Sequence, residues 1–245
     1  MTTREFKNEF NIHYNAIASD SAPSIDDYEL SVYLTKAQLE IIKDYYNSLG
    51  NKYKKGFEST EKRRVDLKEL IKDHKSITKI SSVNSIVDGS QFFKIPNDVF
   101  LILYESVKVD SDDCFNESSI NVFVKTHDEF NTQINNPFKR PDKKHVWRLD
   151  YSTMGSNKVV ELISNYKLSE YQLRYLMYPS PIIVSDLSTG FPGENLSIDG
   201  ITSTQQCLLD KEIHREILDR AVELALRDYK ASNLESKIQL DTRNE

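Results

Sequence analysis

The sequence predicts an α+β fold in which helices at both ends of the chain enclose a β-rich, mainly antiparallel insertion. Three observations carry this. Apolar residues recur at three- and four-residue steps near both termini. The period drops to two after His74 and stays short through Val184. Helix-start signals cluster outside that central region, with one exception at Thr126.

In the first segment Phe6, Phe10, Tyr14 and Ile17 share one helical face, and Thr2 and Thr3 are available to cap it. Pro23 interrupts the pattern within the polar stretch Ser19–Asp27. A second helix is expected to start at Thr35, because Gln38 follows three residues later in a capping box. Leu34 and Leu39 flank that box as a hydrophobic staple. Ala37, Ile41, Tyr45 and Leu49 continue its apolar stripe, and Gly50–Asn51 supplies a stop. A third helix is expected from Ser59 or Thr60, turning Leu67, Leu70 and Ile71 inward.

Beyond His74, Asp88–Gly89 lies between two β-prone stretches of Val83–Ile95, which predicts a tight hairpin closed by Pro96. Phe100–Val109 and Ile120–Val124 read as strands on either side of an acidic loop. Thr126 and Glu129 form a capping box for a short helix, and Pro137 and Pro141 bound the loop after it. Further strands are expected at Val146–Tyr151, Val159–Ile163 and Tyr171–Tyr178, before Pro179 and Pro181 break the ladder ahead of Ile182–Val184.

Ser185–Gln206 reads as a long polar connection holding three of the seven glycines. Asp210 caps a last helix reaching about Lys230, with Ile213, Ile217, Ala221, Leu224 and Ala225 on one side. Burying three amphipathic faces requires this helix to return onto the N-terminal ones as a bundle. The expected organisation is therefore 1–75 helical, 76–184 β-rich, 185–209 loop, 210–232 returning helix and 233–245 polar tail.

Composition limits the function classes. The 245 residues suffice for a substantial core. The 32 basic and 38 acidic side chains leave a net charge of −6, which weighs against tight, sequence-independent duplex binding. The basic stretches Lys52–Lys55, Lys62–Arg64 and Lys139–Lys144 are short and interspersed, as solvated faces or protein-contact patches are. No apolar stretch reads as a signal peptide or membrane span. With only Cys114 and Cys207, a reducing cytoplasm with free thiols fits best. The sequons at Asn116 and Asn195 carry weight only in a secreted chain.

No phosphate loop, nucleophile elbow, zinc-protease helix or paired Cys-x-x-Cys occurs. Glu5, Glu9 and His13 fall at four-residue steps, so one face could hold zinc or manganese; an exposed acidic face beside the Phe6/Phe10 stripe explains them better. Asp110, Asp112, Asp113 and Asn116 resemble the start of a calcium loop. Phe115 stands where that loop needs Gly, and Asn121 where it needs Glu. His127, Asp128 and Glu129 read as the first turn of a helix, and Asp210 with His214 as a cap and its following turn. Trp147, between Lys144 and Arg148, reads as a core or interface anchor. The expectation is no enzyme, no cofactor, no metal and no catalytic residue.

Several segments together resemble a family of virion proteins from crAss-like phages of gut Bacteroidales. They are Glu9-Phe10-Asn11-Ile12-His13-Tyr14-Asn15, Ser21-Ala22-Pro23, Asp27-Tyr28-Glu29, Leu34-Thr35-Lys36-Ala37-Gln38, Gly50-Asn51-Lys52-Tyr53 and Gly56-Phe57. Asn136-Pro137-Phe138-Lys139-Arg140-Pro141, Val146-Trp147-Arg148, Tyr178-Pro179-Ser180-Pro181-Ile182-Ile183-Val184 and the helix Ile213–Tyr229 continue the pattern, so it spans Phe6 to Tyr229. The resemblance implies a homo-oligomeric ring, by analogy twelve-fold, in the head–tail connector or tail barrel. The implied partners are copies of itself, the portal protein, neighbouring rings and genomic DNA passing without specific recognition. It also implies residence in the virion after assembly in the host cytoplasm. The element order is similar, at fold level, to head–tail adaptor (tail tubular type) proteins. The alternative is a DNA-binding or packaging-associated phage protein.

Overall fold

The computed structural model describes residues 1–17, 24–46, 60–77, 90–110, 119–138, 141, 145–149, 152–154, 157–190 and 196–230. The fold is mixed α+β, and the chain divides into two compact units. One comprises Met1–Leu70 with Pro179–Glu245, the other Ile71–Tyr178.

In the helical unit, α1 (Thr3–Ile17) starts at a capping box. The Glu5 backbone N–H donates to Thr2 Oγ1 at 3.3 Å, and the Thr2 N–H donates to Glu5 Oε2 at 2.7 Å. Phe6, Phe10 and Tyr14 are buried, as their spacing predicts. The second helix, α2 (Asp27–Tyr46), begins two turns before Thr35. Its cap is Asp26, whose Oδ1 accepts the Glu29 N–H at 2.7 Å while Glu29 Oε2 accepts the Asp26 N–H at 3.2 Å. Both boxes have the same S/T/D-x-x-E/Q pattern, and the acidic pair at 26 and 29 wins because the helix dipole favours carboxylates in the first turn.

Thr35 and Gln38 are therefore interior to α2 and buried, and they have a different task. With Ser31 they face the extended segment Pro179–Val184. Ser31 Oγ accepts the Val184 N–H at 3.1 Å, Thr35 Oγ1 accepts the Ile182 N–H at 3.1 Å, and Gln38 Nε2 donates to the Ser180 carbonyl at 3.2 Å. Pro181 has no N–H to satisfy. The Ile183 N–H turns the other way, to the Gln205 carbonyl at 3.1 Å, and the Gln205 N–H returns to the Ile183 carbonyl at 3.0 Å. Seven residues of helix rise about 10 Å and four residues of strand about 13 Å. The longer Gln38 side chain spans the difference.

The short helix α3 (Glu61–Asp66) is followed by a 3₁₀ turn, Lys68–Leu70, that buries Leu67 and Leu70. Ile71 leaves this helical region and opens the first strand, so the change of period comes three residues before His74. The connection 185–206 is more ordered than its composition suggests. Where described, it contains the short helix α5 (Leu187–Gly190) and a tight turn in which Ile198 and Ile201 exchange backbone hydrogen bonds. Asp199 and Gly200 occupy that turn with φ of 50° and 78°, the left-handed region that suits Asp and Gly. The last helix, α6 (His214–Lys230), packs against α1 and α2. Ile213, Ile217, Ala221, Leu224 and Ala225 are all buried. Arg220 fastens it to α2 through Glu40 Oε2 at 2.7 Å.

The second unit is a curled sheet. Its strands are β1 (Ile71–Ser76), β2 (Ser90–Ile95), β3 (Val99–Asp110), β4 (Ser119–Val124), β5 (Val146–Arg148), β6 (Ser152–Met154), β7 (Asn157–Ile163) and β8 (Lys167–Met177). They run in the order β1-β8-β3-β4-β5-β7-β2, with β6 also on β7. Of the segment expected as one strand, Val146–Tyr151, the part Val146–Arg148 forms β5, and β6 starts beyond it at Ser152. The expected Asp88–Gly89 turn and its first strand lie outside the described residues, and the partner of β2 there is β7.

Every pairing is antiparallel except β4 with β5. A parallel pair needs a crossover, which α4 (His127–Gln133) supplies. Its capping box forms as predicted, with the Glu129 N–H donating to Thr126 Oγ1 at 3.2 Å. The curl brings strands from opposite ends of the order together. Phe93 of β2 lies 6.0 Å from Tyr171 of β8, and Gln91 bonds both the Tyr166 carbonyl and the Leu168 N–H. Phe93, Val107, Ile120, Val160, Leu162 and Leu173 fill the interior. On the outside, α4 lays Phe130 across Trp147 edge-on, at 6.1 Å.

Replacing Thr35 by Val keeps the shape but removes the acceptor for a buried N–H. The expected loss is about 1–3 kcal/mol of unfolding free energy, measured by urea denaturation. A change within experimental error would contradict the role given to that hydroxyl.

Candidate assembly surface

Period-two alternation along β3 places Glu105 in phase with Val107 and Val109, pointing into the curled sheet. A carboxylate there needs partners, and two other strands provide them. Tyr171 of β8 donates its hydroxyl to Glu105 Oε1 at 3.0 Å. Arg148 of β5 brings Nε within 3.1 Å of the same oxygen, a charge contact without hydrogen-bond alignment. Glu105 and Arg148 are each 7% exposed and Tyr171 0%. Burial pushes the Glu105 carboxyl up, and the Arg148 charge and the Tyr171 hydroxyl pull it back. Burial also raises the Tyr171 hydroxyl well above its usual value. The group has the ingredients of acid–base chemistry, yet it is nearly sealed from solvent. Its evident effect is to tie β3, β5 and β8 across the curl.

The residues singled out from sequence are scattered. Glu5 is engaged in the α1 cap, and no group of three His, Cys, Asp or Glu side chains among the described residues could hold a metal. Asp110 pairs with Lys167 at 3.2 Å; Asp112, Asp113, Cys114, Phe115 and Asn116 lie outside the described residues. His127 and Asp128 are exposed in the first turn of α4.

Asp210 accepts the Glu212 N–H at 3.3 Å and pairs with Lys68 at 3.2 Å, and these donors hold its carboxyl low. His214 is more than the turn after a cap. It is buried, its ring lies 5.3 Å from Phe6, and burial lowers its pKa. Nε2 lies 3.0 Å from the Leu209 carbonyl, which only accepts, so Nε2 carries the proton and Nδ1 faces the Met1 amino group. The Cys207 thiol, pushed up to about 11 by burial, donates to Gln38 Oε1 at 3.9 Å. Trp147 is core. Of the basic stretches, Lys62 binds Glu216 and Arg63 stacks on Tyr45; Lys52–Lys55 and, apart from Pro141, Lys139–Lys144 fall outside the described residues.

The outer face of the sheet differs from an ordinary solvated surface. Ser119, Asn121 and Phe123 alternate outward along β4. Next to them Tyr104, 49% exposed, donates to Asn121 Oδ1 at 3.2 Å. Phe123, 44% exposed, meets the His145 ring at 5.2 Å. Tyr, Phe and His beside a small amide are residue types enriched in protein interfaces, and charged side chains border them, Arg174 opposite Tyr104 and Lys108 opposite Ser119. α4 covers the neighbouring Trp147 and leaves this strip open.

Comparison with known proteins separates these possibilities. The model of a family described as phage tail ring protein 3/4 matches residues 1–237. Ring protein 4/5 of Bacteroides phage crAss001 is 36% identical across the whole of both chains. Ring protein 3 of the same phage is 35% identical over 92% of this chain and 95% of its own. The chain belongs to the phage tail ring protein family. The resemblance carried by the ordered short motifs in the sequence agrees with this assignment.

In a phage ring protein the surfaces that meet other subunits are the functional ones. The strip at Tyr104, Asn121, Phe123 and His145 and the sealed Glu105 group are the two features of the sheet that stand out. The sequence held a signal for both. Glu105 interrupts an inward-facing alternation, and Phe123 stands in the outward one.

Glu105→Leu alone takes a countercharge 3.1 Å away from buried Arg148 and is expected to lose about 3–5 kcal/mol of stability. Glu105→Leu with Arg148→Met is expected to recover most of that. Guanidinium unfolding of both variants checks the order, and a double variant as unstable as the single one would refute the pairing.

Proposed function

We propose that this chain is a non-catalytic building block of a homo-oligomeric ring in the neck or tail of a crAss-like phage virion, with the genome passing through its lumen. The observation that carries the reading is the family match along 1–237, together with two full-length relatives named as ring proteins. Twelve copies is the count by analogy with phage portals and adaptors. Portal protein and adjacent rings are the neighbours, and assembly takes place in the host cytoplasm. No cofactor, metal or catalytic residue enters the proposal.

Two features of the molecule support it. A closed ring needs a heterologous contact, one patch of each copy meeting a different patch on the next. The strip at Tyr104, Phe123 and His145 suits one side of such a contact, because its rings bury large area without stripping water from a charge. A net charge of −6 keeps phosphates from adhering to the subunit as DNA moves past.

A reconstruction of the phage particle tests the placement. Density for this chain in repeated copies around the neck or tail axis is the expected result, and its absence from both regions would overturn the proposal. Phe123→Asp with Tyr104→Asp, both exposed, is expected to leave the fold intact by circular dichroism. Assembly should fall at least about tenfold in native mass spectrometry, the equivalent of about 1.4 kcal/mol at each contact.

A further inference from the structure

Tyr45 has one hydroxyl proton and two carboxylates beside it. The proton goes to Glu216 Oε2 at 2.8 Å, and Glu216 Oε1 also receives Lys62 Nζ at 2.6 Å. Asp66, the last residue of α3, is left over. It is 0% exposed, and neither of its carboxylate oxygens has a hydrogen-bond partner among the described residues. The groups facing it among the described residues are Tyr45 from α2, Lys62 from its own helix, and Glu212 and Glu216 from α6. Arg63 is committed elsewhere, 5.1 Å above the Tyr45 ring. At the other end of α3 the Thr60 hydroxyl is buried, makes no capping bond and has no partner either. A six-residue helix with a polar defect at each end depends on its side-chain contacts to stay in place.

We propose that Asp66 is a proton-operated latch that holds α3 to α2 and α6. With a proton bound, its carboxyl O–H donates to the free lone pair of the Tyr45 oxygen. Tyr45 continues to donate to Glu216, and Lys62 balances the Glu216 charge. The chain Asp66–Tyr45–Glu216 is then complete, with both hydroxyl hydrogens placed. When Asp66 loses the proton, a buried carboxylate faces Glu216 and Glu212 while the Tyr45 proton is already given to Glu216, and α3 loosens. Burial raises the Asp66 carboxyl above its ordinary value; Lys62 and Tyr45 oppose the shift, and Glu216 and Glu212 add to it. For an acid whose folded pKa is raised, the stabilisation is present at low pH and is lost as pH rises through that pKa.

Hydrogen exchange of residues 61–70, corrected for intrinsic rates and followed from about pH 4 to pH 8, around the ordinary carboxyl range, reads the latch directly. In the natural chain, protection is expected to fall by up to about tenfold per pH unit across the transition. Asp66→Asn, which cannot ionise, is expected to give a flat profile that lies above the natural chain at the upper end. A flat natural profile, or the same slope in both proteins, would sink the idea. Should the Asn variant fail to fold, a carbon-13 carboxyl titration of Asp66 in the natural chain decides alone. A midpoint above the ordinary Asp value supports the latch, and one at or below it refutes it.

Discussion

An extended chain inside a helical core brings backbone N–H and C=O groups into a place with no water to receive them. Pro179–Val184 is such a chain, and the helical unit is arranged around the need to satisfy it. On one side α2 offers Ser31, Thr35 and Gln38, spaced at four and three residues along the helix; on the other, Gln205 completes the pairing of Ile183. Removing either set would leave amide groups buried and unmet, a penalty comparable to losing the hydrogen bonds outright. With that segment fixed, Ile182 and Ile183 add to the core and the chain is positioned to continue toward α6. The helix contacts follow from this.

The curled sheet meets a related constraint with charge in place of amides. An interior lined by Val, Ile and Leu would pack in several registers, because aliphatic contacts are weakly directional. Glu105, Arg148 and Tyr171 come from three different strands and meet at one oxygen, so only one arrangement satisfies all of them. Exchanging such a group for apolar residues need not reduce stability, and its contribution here is to select one geometry.

How much of this could be read from sequence depended on whether local and tertiary signals agreed. α1 and α4 were legible because their caps and apolar residues lie on the elements themselves, and α6 by its apolar stripe, although it starts at His214, four residues past the expected cap Asp210. Thr35 and Gln38 misled because a capping box and a buried polar ladder draw on the same residue types. Only the presence of 180–184, about 145 residues further on, tells them apart. Ile71 was assigned to a helix since Leu67 and Leu70 precede it at helical spacing; the strand contacts of β8 override that spacing. The partner of β2 depended on a distant strand for the same reason. Glu105 and Phe123 were visible as exceptions to alternation, but their meaning rests on which face closes inward. Asp66 shares a helical face with Arg63 and Leu70, and its lack of a partner is a fact of tertiary structure alone.

The β-rich unit begins and ends on adjacent strands, with Ile71 of β1 opposite Leu176 of β8, about 4.8 Å apart across the ladder. Changes in length or side chains beyond that pair of strands leave this closure in place. A phage that encodes more than one paralogue on this plan, as crAss001 does, can therefore diversify what each copy presents to its surroundings while conserving the scaffold that carries it.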